Sequence, residues 1–330
     1  MPLFLVLSLL SGVLELGGLF LSSANGAQGW ALFVLPLMYQ LGNLLSIAPP
    51  VTPRRAGAAG IGLLLVGLLF PCPAIFMVQV MAASVCIQTA RAAQKDNCPT
   101  WLKRTFRIGG FVLSPVMAVY PTAALSCCLL LPAVVLLRPG IPKTPSPSHD
   151  GELVLVMMFH QMHYFVYTYI MPAWFFALTG SLVGSGAMFA LTWVVYLMPQ
   201  VIAERFTGVN PRKLFFACHS FLALTMGVLC IAAAYGNVPL ICAAWMLSGL
   251  GGGSVFCIKS LTPACQRADL TFSENVGHVA GVLTAILILT VFPGADVPML
   301  TGASCIFVCL TLASAVILMR KERRRYARAG

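Results

Sequence analysis

The feature that most constrains this chain is a series of long apolar segments that recurs along its whole length. Of its 330 residues, 59% are hydrophobic and only 9% are charged, which excludes an ordinary soluble domain. A helix of about 20 apolar residues spans a bilayer core, so the pattern predicts a polytopic, all-α membrane protein. Twelve spans are predicted, at residues 2–22, 30–47, 56–70, 73–90, 106–119, 122–137, 153–178, 181–201, 214–235, 238–258, 274–292 and 297–319.

The positions of the basic residues test this count of spans. All 20 Lys and Arg residues fall in even-numbered connections or in the C-terminal tail, with Arg91 and Arg107 at the edges of the fourth connection. Cytoplasmic connections collect Lys and Arg, so the even connections and both termini are predicted to be cytoplasmic. The net charge of +11 therefore reflects topology and does not indicate a nucleic-acid partner. The basic tail is expected to lie against the anionic lipids of the bilayer.

The chain also reads as two halves. Residues 139–152 are rich in Pro, Ser and Gly, which predicts a cytoplasmic linker. Residues 1–138 are then a six-helix bundle, and residues 153–330 are a second six-helix bundle with a basic tail. Similar basic turns follow the second and eighth spans, at 53–55 and 211–213. Such a parallel repeat is typical of one large class of secondary transporters.

A polar face in the seventh span is the leading candidate for a substrate site. His160, His163, Tyr164 and Tyr167 follow helical spacing and therefore share one side of a helix. Ionisable groups near the bilayer midplane face a protein interior or a water-filled cavity, and they are functional candidates. We expect these four side chains to line a substrate cavity. The alternative is that they only form hydrogen bonds that pack neighbouring helices together.

Glu15 is the only acidic residue well inside any predicted span. Insertion of an ionised carboxylate at mid-membrane costs roughly 2.5–3.5 kcal/mol, so we predict that the chain uses Glu15 to take up and release a proton. The alternative is a permanently protonated carboxyl group that binds a neighbouring helix. Nearby glycines at 12, 17 and 18 predict close approach of another backbone. The opposite wall of the cavity is predicted to hold Tyr39, Gln40, Asn43 and Gln79.

Two features of the second half are candidates for gating. Gly252 lies in a glycine-rich run of the tenth span, which predicts either a hinge or a close helix crossing. Glu274 and His278 are four residues apart and can pair on one face of a helix. The pair is predicted to act as a gate, with a helix cap plus a structural pair as the alternative.

At this level the chain resembles the major facilitator superfamily. The resemblance rests on six plus six spans, a central linker and the basic turns, of which the segment Glu204-Arg205-Phe206-Thr207-Gly208 followed by Pro211-Arg212-Lys213 is the better match. In that family these loops are thought to latch helices during the inward–outward switch. The resemblance therefore implies gating roles for Glu204, Arg205 and Arg212.

Together these features predict a multi-pass inner-membrane transporter that moves a small organic solute by alternating access, with protons as the coupling ion. The histidines and methionines favour a siderophore- or metallophore-type solute as one possibility. No cofactor or protein-bound metal is expected, because two neutral histidines make an incomplete site and the cysteines lack zinc-site spacing. Two alternatives remain: a sensor or assembly partner without transport, and a ten-helix drug/metabolite-type carrier. An enzyme is not favoured, because no HExxH motif or paired aspartates occur.

Overall fold

The computed structural model describes residues 3–47, 52–93, 100–138, 151–205, 208, 210–255, 267–294 and 296–329, and these ranges contain helices and no strands. The first half forms α1 (Leu3–Ala24), a 3-10 helix (Gly29–Phe33), α2 (Val34–Leu45), α3 (Pro53–Leu69), α4 (Pro73–Ala93), α5 (Thr100–Leu113), α6 (Val116–Val119) and α7 (Pro121–Leu136). The second half forms α8 (Gly151–Tyr167), α9 (Ile170–Thr179), α10 (Leu182–Arg205), α11 (Pro211–Ala234), α12 (Val238–Gly252), α13 (Arg267–Val291) and α14 (Asp296–Ala329).

Each predicted span coincides with one of these helices or with two consecutive ones. Six of the described helices are long and apolar enough to cross a membrane, judged by length and composition. They contain Leu3–Ala24, Pro73–Ala93, Leu182–Ile202, Arg212–Ala234, Leu270–Val291 and Asp296–Ile317. The chain is therefore a multi-pass membrane protein. Most of the predicted linker, residues 139–150, lies outside the described residues.

Two predicted spans are broken by proline. The fifth span divides into α5 and α6 at Ser114 and Pro115, because Pro115 has no N–H to donate to the carbonyl of Phe111. The hydroxyl of Ser114 donates to that carbonyl instead, at 2.6 Å. The seventh span divides into α8 and α9 between Tyr167 and Ile170, and Pro172 follows within the first turns of α9. A continuous apolar sequence therefore does not give a continuous helix here.

Several helices begin with the same local signal. The side chain of Thr52 accepts a hydrogen bond from the backbone N–H of Arg55, and Asn210 and Asn237 act in the same way at the starts of α11 and α12. A proline occupies the first or second helical position in all three helices. Its fixed φ suits the first turn, and its missing N–H would have had no helical partner there.

Cα packing divides the chain into two compact units. The first contains Met1–Ser146 and Pro172–Ala190, and the second contains Pro147–Met171 and Leu191–Gly330. In the first unit α1 packs against α5, and α4 packs against α2, α3 and α7. In the second unit α8 packs against α13 and α14, and α11 packs against α12 and α14. The predicted polar faces of α1 and α8 are thus each enclosed by other helices of their own unit.

Glycines set the closest helix contacts in the second unit. A Cβ atom on Gly277 would lie 2.5 Å from the carbonyl oxygen of Met158, and one on Gly281 would lie 2.9 Å from that of Met162. These glycines therefore let α13 approach the backbone of α8. Small residues spaced four apart are typical of closely packed membrane helices.

Candidate functional site

The single carboxylate predicted inside a span is paired with an arginine. Glu15 on α1 is 1% exposed, and its Oε2 accepts from Nε of Arg107 on α5 at 3.1 Å and also from Nη2 of the same guanidinium. Arg107 is 23% exposed and lies over the ring of Phe111, with 5.9 Å between Cζ and the ring centroid. A carboxylate held by two N–H donors of one guanidinium is a strong, orientated contact.

This pair exists because α1 and α5 approach closely at two glycines. A Cβ atom on Gly12 would clash with the carbonyl oxygen of Arg107, and one on Gly110 would clash with that of Leu9. Both glycines are buried. Because no side chain separates the two backbones here, the short Glu15 side chain reaches Arg107 directly.

A second set of polar groups lies one turn away on the same face of α1. The hydroxyl of Ser11 is 3.0 Å from the phenolic oxygen of Tyr39 on α2. It also accepts from Gln88 Nε2 and Arg91 Nη1 on α4, each at 3.5 Å, and Arg91 Nη1 donates to Gln88 Oε1 at 3.1 Å. Together with the ion pair, we call this set the α1 polar cluster: Ser11, Glu15, Tyr39, Gln88, Arg91 and Arg107.

The other residues predicted for this wall make different contacts. Asn43 donates to Gln40 at 2.8 Å and accepts from Ser84 at 2.7 Å, so the two amides join α2 to α4. Gln79 donates to the carbonyl oxygen of Leu63 on α3 at 3.0 Å. It also lines an apolar cavity of about 860 Å³ within the first unit. Of the four predicted residues, Tyr39 belongs to the α1 polar cluster.

In the second unit the predicted face of α8 forms a buried cluster around three histidines. Nδ1 of His160 is 3.0 Å from Nε2 of His219 on α11, and the rings of His160 and His163 meet edge to face at 4.9 Å between centroids. Nδ1 of His163 is 3.4 Å from the hydroxyl of Ser304 on α14, and Nδ1 of His219 is 2.8 Å from that of Ser254. We call His160, His163, His219, Ser254 and Ser304 the histidine cluster.

Hydrogen bonding fixes the direction of the bonds in this cluster. Nδ1 of His219 is 3.1 Å from the carbonyl oxygen of Phe215, which can only accept. We therefore assign the proton of neutral His219 to Nδ1, which leaves Nε2 as an acceptor for the Nδ1–H of His160. Nε2 of His163 is buried and has no hydrogen-bond partner in the part of the chain that the structure describes.

Aromatic residues surround the histidines on α8. The ring of Tyr167 stacks near that of His163 at 6.4 Å, and its hydroxyl is 2.9 Å from that of Ser248 on α12. Tyr164 lies 6.1 Å from Tyr196 on α10, between ring centroids. The four residues predicted on this face are all buried, and the structure brings them together within the second unit.

Three of the predicted gating residues lie at helix contacts. A Cβ atom on Gly252 would lie 3.0 Å from the ring of Tyr196, so the glycine-rich run includes a close helix crossing. Glu274 accepts from Gln161 at 3.5 Å, and the ring of His278 lies 4.2 Å from that of Phe165. Both contacts join α13 to α8.

The other three predicted gating residues belong to one connection. Arg205 ends α10 and Arg212 lies in the first turn of α11, and both are exposed. The side chain of Glu204 lies outside the described residues. The structure therefore describes no pairing that involves Glu204.

Sequence reasoning missed three ionisable residues of these clusters. Arg107 was expected at the edge of a connection, but α5 begins at Thr100 and places Arg107 two turns inside a helix. Arg91 was likewise assigned to a connection, yet it lies within α4 and binds Ser11 on α1. His219 was not singled out, although a lone histidine in an apolar span is a signal of the same kind as His163.

Metal and disulfide chemistry find little support in these clusters. Among the described residues, no group of three or more His, Cys, Asp or Glu side chains has the arrangement of a metal site. The described cysteines are free thiols.

The fold is similar to those of solved membrane transporters. A bacterial homologue of the iron transporter ferroportin in its inward-facing state matches with a TM-score of 0.58 at 15% identity, over 95% of this chain and 98% of that one. The outward-facing form with soaked iron matches with a TM-score of 0.60 at 13% identity, over 95% and 97%. The xylose transporter XylE from E. coli matches with a TM-score of 0.56 at 11% identity, over 96% of both chains.

No family model and no curated protein matches the sequence. The structural likeness nevertheless shows that the chain shares its fold with these solved structures, which are described as transporters.

Proposed function

We propose that this chain, whose sequence resembles the major facilitator superfamily and whose fold is similar to those of solved transporters, is a secondary active transporter. It moves a small organic solute across the inner membrane by alternating access of two six-helix bundles, residues 1–138 and 153–330. The observation that carries this proposal is the agreement of the fold with transporters over 95% of the chain. In the same proposal both termini are cytoplasmic, and Glu204, Arg205, Arg212, Gly252, Glu274 and His278 take part in gating.

Proton coupling is assigned to Glu15. A proton and the Arg107 guanidinium compete for the same carboxylate oxygens, because protonation removes the negative charge that holds the arginine. Uptake of a proton therefore weakens the α1–α5 pair, and loss of the proton restores it. The burial of Glu15 supports this assignment, since a buried carboxylate changes its interactions strongly when its charge changes.

The substrate is proposed to be an organic chelator of a metal, of the siderophore or metallophore type. Two observations support this class. Four buried aromatic and imidazole side chains on α8 (His160, His163, Tyr164 and Tyr167) suit an amphipathic organic solute. Several matched structures are also described as iron or metal transporters. The first unit contributes polar groups through Tyr39, Gln40, Asn43 and Gln79.

The test compares small molecules inside and outside cells that produce the intact protein, Glu15→Gln or no protein. Asp296→Asn is the matched control, because it removes a carboxylate that the proposal does not use. We expect one compound to shift across the membrane with the intact protein and with Asp296→Asn, and not with Glu15→Gln. In vesicles containing the purified protein, uptake of that compound should depend on an imposed pH gradient.

The other outcomes separate the parts of the proposal. A shift that survives Glu15→Gln would leave transport standing and show that the coupling residue is assigned wrongly. No shift of any compound, with the protein well expressed and folded, would overturn the transporter function. A sensor or assembly role would then be the better explanation.

A further inference from the structure

We propose that the α1 polar cluster binds an oxyanionic group, a carboxylate or a phosphate, of the transported solute through Arg91 and Tyr39. This inference rests on the proposed function, because it names the charge of the substrate. It concerns a side chain that the sequence assigns only to a cytoplasmic connection. The charges of the residues around α1 support it.

The cluster holds more positive than negative charge. Glu15 is the only acidic residue whose side chain the structure describes in the first unit, and Arg107 already binds it. The hydrogen bonds that Arg91 donates go to the neutral oxygens of Gln88 and Ser11. Its guanidinium therefore has no carboxylate partner among the described residues.

Among the described residues, two guanidinium groups and one carboxylate therefore make up the charged part of the α1 polar cluster. A buried cation without a counter-charge is costly, and an oxyanion bound beside it would remove that cost.

Arg91 also has a hydrogen-bond donor to offer. Its Nε is buried and has no hydrogen-bond partner in the described part of the chain. Nη1 of Arg91 donates to Gln88 Oε1, and this hydrogen bond orients the guanidinium. Arginine presents its N–H groups in a planar fork that suits carboxylates and phosphates.

Tyr39 offers a second donor next to the first. The hydroxyl of Ser11 accepts from both Gln88 and Arg91. It is also 3.0 Å from the phenolic oxygen of Tyr39, and either hydroxyl can donate in that contact. When Ser11 donates, the phenolic proton of the fully buried Tyr39 is available to an oxyanion. An oxyanion would accept from both Tyr39 and Arg91.

The test measures stabilisation of the intact protein by anions. Protein in nanodiscs of phosphatidylcholine is heated with inorganic phosphate, succinate or citrate, each compared with sodium chloride at the same ionic strength. The variants are Arg91→Gln, Arg91→Lys, Tyr39→Phe and the control Arg138→Gln, which removes one exposed positive charge from the same unit.

At least one of the three anions should raise the unfolding temperature of the intact protein. Its apparent affinity should fall roughly tenfold or more in Arg91→Gln, because a hydrogen bond to a charged group is lost. Arg91→Lys should retain part of the affinity, Tyr39→Phe should lose a smaller part, and Arg138→Gln should leave it unchanged. If Arg91→Gln does not fold, Arg91→Lys and Tyr39→Phe carry the comparison.

Three results of this unfolding experiment would overturn the inference. The first is that none of the anions stabilises the intact protein beyond sodium chloride, and the second is that all variants respond equally. The third is stabilisation that depends on Arg91 only in nanodiscs containing phosphatidylglycerol, which would mean that the site holds a lipid phosphate. If a neutral or cationic solute is transported, the inference fails while the function stands. If an anion binds through Arg91 and no solute moves, the function fails while the site stands.

Discussion

Replacing Arg107 by glutamine should destabilise the protein strongly, because it leaves Glu15 buried without its partner. Nε of Arg107 and Oε2 of Glu15 are 3.1 Å apart. At that distance, Coulomb's law with an effective dielectric constant of about 20 gives roughly 5 kcal/mol of attraction. Desolvation offsets part of that energy, and measured losses for breaking one side of a buried pair are about 3–5 kcal/mol. We therefore expect Arg107→Gln to lower the free energy of unfolding by about 3–5 kcal/mol.

The opposite change should cost less. Glu15→Gln leaves Arg107, which is 23% exposed and so remains partly solvated. We expect a loss of about 1–3 kcal/mol, by analogy with one unsatisfied polar partner. The double variant should be more stable than the sum of the two losses implies, with a coupling energy of about 2 kcal/mol.

The four proteins of this cycle are compared by reversible unfolding with sodium dodecyl sulfate in mixed micelles. Arg138→Gln is the control, because it removes an exposed charge and should change the free energy of unfolding by less than about 0.5 kcal/mol. The reasoning is refuted if Arg107→Gln costs no more than this control. It is also refuted if the two single losses add within about 0.5 kcal/mol.

Two further pairs of variants test helix packing in the same unfolding assay. Gly110→Ala should lower the free energy of unfolding by about 1–3 kcal/mol, because the added methyl group meets the backbone of α1. Gly109→Ala has open space around the methyl group, so the higher helix propensity of alanine should raise the free energy of unfolding by up to about 1 kcal/mol. Tyr167→Phe should cost about 0.5–1.5 kcal/mol because Ser248 loses its partner, while the exposed Tyr235→Phe should be neutral. Equal effects within either pair would contradict these assignments.

The sequence predicts the helices well because their main signal is composition. Each of the twelve apolar segments overlaps a described helix, and Gly12 near Glu15 lies where α1 meets α5. The breaks next to Pro115 and before Pro172 are less evident in the sequence. Apolar composition continues through both, and only the missing N–H of proline interrupts the hydrogen bonding.

The candidate site is predicted only in part, because its partners come from distant segments. Glu15 and the histidines of α8 stand out as polar groups in apolar spans, and both are buried. Arg107 was missed because the first turns of α5 carry Trp101, Lys103 and Arg104, so hydropathy alone starts that helix too late. The hydrogen-bond partner of each buried amide lies on another helix. The spacing of residues within one segment therefore does not predict that partner.

The contact between α13 and α8 has a consequence for how the histidines are held. Gly277 and Gly281 are one turn apart, and they face the carbonyl oxygens of Met158 and Met162, also one turn apart. Such a repeat favours Cα–H···O bonds between the two backbones, each worth about 0.5–1 kcal/mol. Such bonds would join main-chain atoms, and they would add to the side-chain contacts of Gln161 and Phe165 in setting the register of α8. Lipid composition should therefore hardly change the position of the α8 backbone, which carries the imidazoles.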